Sequence, residues 1–404
     1  MPAFRIHGLA GKKTEEVNMN RRTFIRLIGG GVVFSATAGL SACSSEMPPE
    51  AIAAWQGPQP GTDVRKWILS YAILAPHSHN LQSWLVDLRT PNEIILYCDL
   101  TRLLPETDPY YRQIMMSHGT FLELVDIAAR ERGIRTNIEL FPQGEFGPEQ
   151  IDQRPVARIR LATDPNIAKD PLFAQVLKRH TNREAYDMSK AVPADAIQNM
   201  ADSIKSYPIR FGFVGLDQPD KLEKHRAVAA EAWRIELTTP AKILETYKVL
   251  RVGAREIAKY RDGISINDPL LSLLVRLGLF DRSKAPQPDD SATVDQIENF
   301  NKNLESTPGF LWMITEGNGR TAQVNAGRAY VRVQLSGTAH GISMHPLQQA
   351  LQEYPEQQAS YREIHNFLDA PTPRYTVQMW ARSGFGPQIE PAPRRGLEAH
   401  IAKS

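Results

Sequence analysis

Two stretches of this chain, one in each half, carry the same glycine-bounded helical pattern. Gly119 and Gly133 enclose the run FLELVDIAARER, and Gly327 and Gly341 enclose RAYVRVQLSGTAH, with 14 residues from glycine to glycine in both and a constant offset of 208 between them. Ile134 and Ile342 follow the closing glycines, and the same offset aligns Val125 with Val333 and Ile127 with Leu335. A pattern repeated at this distance points to a duplicated supersecondary unit. Two unrelated core helices can share a spacing, so the repeat constrains the fold without deciding it.

Residues 1–43 read as an address and are set apart from the fold. Asn20-Arg21-Arg22-Thr23-Phe24-Ile25-Arg26 resembles a twin-arginine export signal, with Met19 as a second possible start directly before it. The apolar run from Leu27 to Leu40 contains Gly29, Gly30 and Gly31 and falls short of the roughly 20 residues that span a bilayer. Leu40-Ser41-Ala42-Cys43 looks like a lipobox, which would make Cys43 the lipidated first residue of the mature chain. The alternative is an ordinary signal with a chance cysteine.

The address holds six basic and two acidic residues, so its removal takes the formal charge from +2 to about −2. A nearly neutral remainder gives no electrostatic footprint for nucleic acid. Only Cys98 is left, so no internal disulfide can form and the core must come from packing. The remaining length, about 360 residues, suggests two or three domains.

Residues 44–63, rich in Ser, Pro, Gly and Ala, read as a tether. Beyond it the spacing predicts a helix over 66–74, a hairpin of 84–88 with 93–98 around Thr90-Pro91-Asn92, a long helix over 115–132, and strands at 137–141 and 157–162. Asp108 and Pro109 are expected to cap that long helix, as N-cap and first helical residue. The pattern is α+β, without clean βαβ alternation. Residues 217–306 have no counterpart in the first half; they are helical in pattern and expected to form an inserted lid or a packing arm. Trp55, Trp67, Trp233, Trp312 and Trp380 read as packing residues.

Four segments could carry chemistry. In Lys178-Arg179-His180-Thr181-Asn182-Arg183 an extended backbone would turn Arg179, Thr181 and Arg183 the same way, toward one anion. Pro76-His77-Ser78-His79-Asn80-Leu81-Gln82-Ser83-Trp84 is a polar run entering a strand; His77 and His79 stand at i, i+2, without the helical i, i+4 spacing or the further ligands of a zinc site. Gly341 to Gln348 reads as a helix cap followed by a loop. Pro393-Arg394-Arg395 places two more cations near the end, where a surface pair is the bland reading.

Together these four segments resemble the FMN-dependent nitroreductase family. Arg179, Thr181 and Arg183 are similar to its phosphate-gripping start, and Arg394 and Arg395 to its terminal basic pair, with Arg395 the better match. Ser78, Asn80, Gln82 and Trp84 keep the segment that reaches the flavin from the opposite subunit of a dimer, with Ser83 in place of the usual proline. Pro346, Leu347 and Gln348 resemble the stretch beneath the flavin ring, where the N–H of Gln348 would face N5. The phosphate grip falls in the second half only.

The resemblance therefore implies a nitroreductase-like α+β fold in which two fused domains mimic the family homodimer and one of two flavin sites has lapsed. The halves would be 64–170 and 171–404, the second with its insertion at about 217–306. It implies an exported, periplasmic, lipid-anchored oxidoreductase whose FMN passes hydride or electrons to a nitro, quinone or similar small acceptor. No side chain is expected as a nucleophile. Family members take hydride from NAD(P)H, whereas the expected compartment favours a quinol or a redox partner. Alternatives are a flavin-sequestering lipoprotein with little turnover and a structural lipoprotein without flavin.

Overall fold

The structure is a computed structural model, and it describes residues 46–402. The expected export signal and Cys43 lie outside the described residues.

Helix α1 (Val64–Ala72) starts where Asp63 accepts hydrogen bonds from the N–H groups of Arg65 and Lys66, a side-chain N-cap. The expected hairpin follows as β1 (Trp84–Asp87) and β2 (Glu93–Cys98), with Trp84 opposite Cys98 and Asn92 in the left-handed region at the turn. Alternate residues of β2, namely Ile94, Leu96 and Cys98, face inward, as a one-sided strand requires. After α2 (Arg112–Glu131), β3 (Ile134–Leu140) and β4 (Ala157–Thr163) complete an antiparallel sheet in the order β1-β2-β4-β3.

The second half repeats this plan. After α3 (Ala194–Asp202) comes β5 (Ile209–Val214), then β8 (Gly309–Glu316), α9 (Arg320–Ala339), β9 (Ser343–Pro346) and β10 (Tyr375–Gly384). These strands form an antiparallel sheet in the order β5-β8-β10-β9, which is again first, second, fourth, third within its half. Helices α2 and α9 are each 20 residues long and begin 208 residues apart.

They cross at the repeated glycines. A Cβ on Gly119 would stand 1.9 Å from the carbonyl oxygen of Val324, and one on Gly327 would stand 1.8 Å from that of Met116. Val324 and Met116 are themselves 208 apart, so the crossing is self-complementary, as across a two-fold axis. Only glycine allows the backbones this close. The cores interlock as a result: Val324, Val331 and Leu335 of α9 belong to the first half's core, and Met116 of α2 to the second's.

Asp108 caps α2, but not as its N-cap. The helix starts at Arg112, with Tyr111 left-handed before it, and the Asp108 carboxylate reaches forward to the N–H groups of Gln113 (3.1 Å) and Ile114 (3.0 Å). Pro109 therefore sits in the preceding turn rather than at the first helical position.

The insertion replaces the short turn that joins β1 to β2 in the first half. It contains α4 (Pro219–Thr238), α5 (Pro240–Lys248), β6 (Leu250–Val252), α6 (Gly253–Tyr260), β7 (Ile264–Ile266), α7 (Pro269–Arg276) and α8 (Ser291–Glu305). The expected helices are joined by one parallel strand pair, β6 with β7. The segment packs as an arm across the first half. Glu245 accepts from the N–H groups of Glu106 and Thr107, Asp262 pairs with Arg102 and Arg251, and the Gly263 N–H donates to the Asn80 carbonyl.

Both ends of the described residues cross to this same region. The last strand-like residues pair with β1 through Val86 and Ile401. At the other end, Pro49–Ile52 and Ala53–Gln56 form two short helical turns within the expected tether. They are docked rather than loose, because Trp55 is buried with its ring N–H on the Ala392 carbonyl, and Arg394 N–H donates to Ala51.

Candidate functional site

Residues 179–183 lie alongside β9. Thr181 bridges to Met344, the Asn182 N–H donates to the Met344 carbonyl, and the Asn182 amide holds Ser343 Oγ and the Pro387 carbonyl. Arg179 is buried, Thr181 half-buried and Arg183 exposed, so the three expected phosphate ligands occupy three depths. The Arg179 guanidinium donates to Gln334 Oε1 (3.1 Å) and the Leu74 carbonyl (2.9 Å), and its Nε has no partner.

Arg394 arrives at the same carbonyl from the C-terminal arm. It donates to Leu74 (3.2 Å), Ala75 (3.1 Å) and Asn80 Oδ1, and its Nε is also buried without a partner. Both guanidiniums therefore sit just past the C-terminal end of α1, where carbonyl dipoles favour cations. Burial pushes Arg179 down to about 10, and burial with the Arg179 charge pushes Arg394 down to about 9. The Trp55 ring covers the pair, 5.7 Å from one guanidinium and 5.3 Å from the other, and the His180 ring lies 5.2 Å from it. His180 Nδ1 is a further buried atom without a partner.

The polar run 77–82 forms the facing wall. His79, Asn80 and Gln82 all have left-handed φ (47°, 54° and 56°), a concentration of strain in non-glycine residues that the surroundings must hold in place. Ser78 Oγ donates to Gln113, and its N–H to Ser117, both on α2. The Asn80 amide donates to the Gly263 and Pro393 carbonyls. Gln82 is fully buried; it donates to the Arg261 carbonyl (2.9 Å) and accepts from the Arg395 N–H (2.9 Å). Gln82 is thus a positioning residue that ties the arm and the C-terminus together. The Arg395 guanidinium returns to the Gln82 carbonyl, its Nε has no partner, and burial pushes it down to about 10.

Pro346 ends β9 opposite Ala381, and the Leu347 N–H is satisfied by the Trp380 carbonyl. Among the described residues nothing accepts from the Gln348 N–H, and Gln348 Oε1 is buried without a partner. Its side-chain amide reaches the Gln378 carbonyl at 3.4 Å, which also takes Arg112 at 3.1 Å. The start of α2 thereby joins the Ser78 wall to the Gln348 segment.

Several members were not legible in the sequence. Arg382 donates to His345 Nδ1 (3.1 Å) and to the Arg183 and Glu184 carbonyls, and lies over the Tyr186 ring. Burial, then Arg382 and Arg183, hold His345 well below the usual histidine range. Trp55 sits in a stretch whose composition suggests a tether, and Gln334 in an ordinary core helix. His180, by contrast, lies inside the basic motif itself.

Five arginines, Arg179, Arg183, Arg382, Arg394 and Arg395, converge here, and among the described residues none is ion-paired to a carboxylate within 4.0 Å. On α9, Arg328 and Arg332 are both neutralised by Glu123 of α2 at 2.8 Å, with Tyr207 donating to the same carboxylate. A buried cation without a counter-ion is costly unless a bound anion supplies one. Arg179 and Arg394 carry that imbalance, whereas Arg328 and Arg332 do not.

Two Mycobacterium tuberculosis proteins, each named "Putative NAD(P)H nitroreductase", are 27% identical to this chain over 353 residues, covering 84% of it and 91% of theirs. No protein-family model matches. Among solved structures, the FMN-dependent nitroreductase NfnB of Mycobacterium smegmatis, in complex with NADPH, aligns at TM-score 0.36 with 15% identity, covering 57% of this chain and 96% of that one. A nitroreductase of Bacteroides fragilis with bound FMN aligns at TM-score 0.30 with 14% identity, covering 55% and 93%.

Proposed function

We propose that the chain is an FMN-dependent oxidoreductase of the nitroreductase family, with the two halves in one polypeptide forming a single flavin site. The observation that carries this reading is the pair Arg179 and Arg394, buried, without counter-ions and each with an orphaned Nε. A phosphate fits that donor set: it would accept charge-assisted hydrogen bonds and neutralise the excess. The names of the mycobacterial relatives support the same activity.

FMN would be held at its phosphate by Arg179, Arg394 and Arg395, with Thr181 and Arg183 at the rim, and would supply hydride or electron transfer through N5. The chain's own residues bind and orient. Gln348 offers an uncommitted backbone N–H for the ring nitrogen, which favours charge developing there. Pro346 and Leu347 fix that segment against β10. Ser78 and Asn80 stand on the opposite wall, and Trp55 excludes water from the phosphate end. No residue is required as a nucleophile, and the two electrons and proton come from a donor and leave to a small nitro or quinone acceptor.

The donor follows from location. NAD(P)H is the donor in the relatives' printed name. Export by the twin-arginine signal and anchoring through Cys43 would place the site beside a membrane, where a quinol or redox partner replaces it. A second reading, a flavin-sequestering protein, is favoured by one observation: the arm occupies the amides of Asn80 and Gln82 through Arg261 and Gly263.

Loss of charge at the phosphate end separates binding from chemistry. Arg179→Gln keeps a donor for Leu74 yet removes the cation; combined with Arg394→Gln it should leave circular dichroism unchanged and weaken FMN at least about tenfold per residue, since each charged contact is worth about 1.5–3 kcal/mol. Full flavin occupancy in the double variant would refute the site. Stopped-flow reduction by NADPH or a soluble quinol, followed by reoxidation with a nitroaromatic, distinguishes turnover from sequestration.

A further inference from the structure

We infer that the tip of the inserted arm is a membrane-docking surface that takes phospholipid. Helix α7 packs inward through Leu271 and Leu274, yet Leu273, Leu277 and Leu279 remain 48%, 61% and 62% exposed, the last two being the most exposed large apolar side chains among the described residues. The chain turns sharply between them. Gly278 is left-handed, its N–H returns to Val275 and that of Leu279 to Leu274, so Leu277 and Leu279 flank a helix-ending turn. Such a cluster on a surface marks an interaction site.

What covers it is indicated by where the described chain begins. Asn267, two residues before α7, holds the Glu46 carbonyl at 2.6 Å, and the following turn, Pro49–Ile52, packs against α6. Cys43 is three residues earlier, within about 11 Å of Glu46 for an extended chain. Helix α7 spans about 12 Å. With the Glu46–Asn267 contact, the two residues before α7 and the turn after it added, the leucines lie within roughly 45 Å of the residue expected to carry lipid. The same arm exposes Arg255, Lys259 and Arg276, none ion-paired among the described residues, which suits anionic headgroups. An apolar patch with basic residues supplies an attachment to lipid that does not depend on the anchor. Proximity to the anchor rests on the export reading above; the exposed leucines do not.

The test uses the chain from Ser44 onward, which contains every described element, with vesicles of phosphatidylethanolamine and phosphatidylglycerol. It should float with them, and Leu277→Glu with Leu279→Glu should reduce flotation about tenfold while thermal stability and flavin content stay unchanged. Equal flotation of parent and variant, or none by the parent, overturns the proposal. So does a variant that alters only the sedimentation coefficient, which would make the patch a contact between copies. The mass of the Cys43 peptide from the full chain in its membrane fraction tests the anchor separately: an unmodified Cys43 with flotation intact removes the anchor and leaves the patch.

Discussion

At the scale of single residues, the site is defined by charges the protein leaves unpaired. Trp55 lies over two of them, and Trp55→Ala should speed FMN release several-fold, because cation–π contacts of about 0.5–2 kcal/mol and a water barrier go together; release is read from recovered flavin fluorescence. An unchanged release rate would make Trp55 mere packing. Elsewhere, burial pushes Glu236 up to about 7, opposed by the Gln352 amide and reinforced by Glu245. The folded state holds that proton more tightly than the unfolded chain, so this contribution is present at low pH and is lost as pH rises from about 4.5 toward 7. Glu236→Gln should therefore melt higher than the parent at pH 8 by an increment of order 1–3 kcal/mol that vanishes near pH 4. Arg179, Thr181, Arg183, Arg394 and Arg395 stood out in the sequence as members of basic motifs, but which of them would be buried without a carboxylate partner did not. Trp55, Arg382 and His345 were not legible: their roles come from chain crossings that no local pattern encodes.

Among the elements, α2 and α9 decide the architecture. Their crossing has no room for a methyl group at Gly119 or Gly327. Gly119→Ala or Gly327→Ala should each cost about 1–3 kcal/mol or more by forcing the helices apart, seen as a lower urea midpoint, and their equal effect would reflect the pseudo-two-fold relation. Indifference to either substitution would contradict the crossing. The helices, the hairpin and the strands of the first half were readable from periodicity, since one face of each is buried. Boundaries moved where side chains acted at a distance, as when Asp108 reached past Tyr111 to start α2 three residues before the expected point. The docking of Pro49–Gln56 and the parallel pair β6 with β7 were not readable, because both are short and stabilised by distant partners.

For the molecule as a whole, two sheets of the same strand order meet through α2 and α9, and the buried arginines beneath Trp55 have no carboxylate partner among the described residues. Glu123 of α2 neutralises Arg328 and Arg332, which lie on α9 outside that cluster. The arm extends the connection between β5 and β8 and reaches the first half, where it holds Asn80 and Gln82. The central claim is the proposal of one flavin site per chain, at the unpaired arginines. Purified protein, its visible spectrum recorded and its flavin released by heat and counted against protein, should yield one FMN per polypeptide. Two would mean a second site elsewhere in the chain, and none after incubation with FMN would contradict the flavin account.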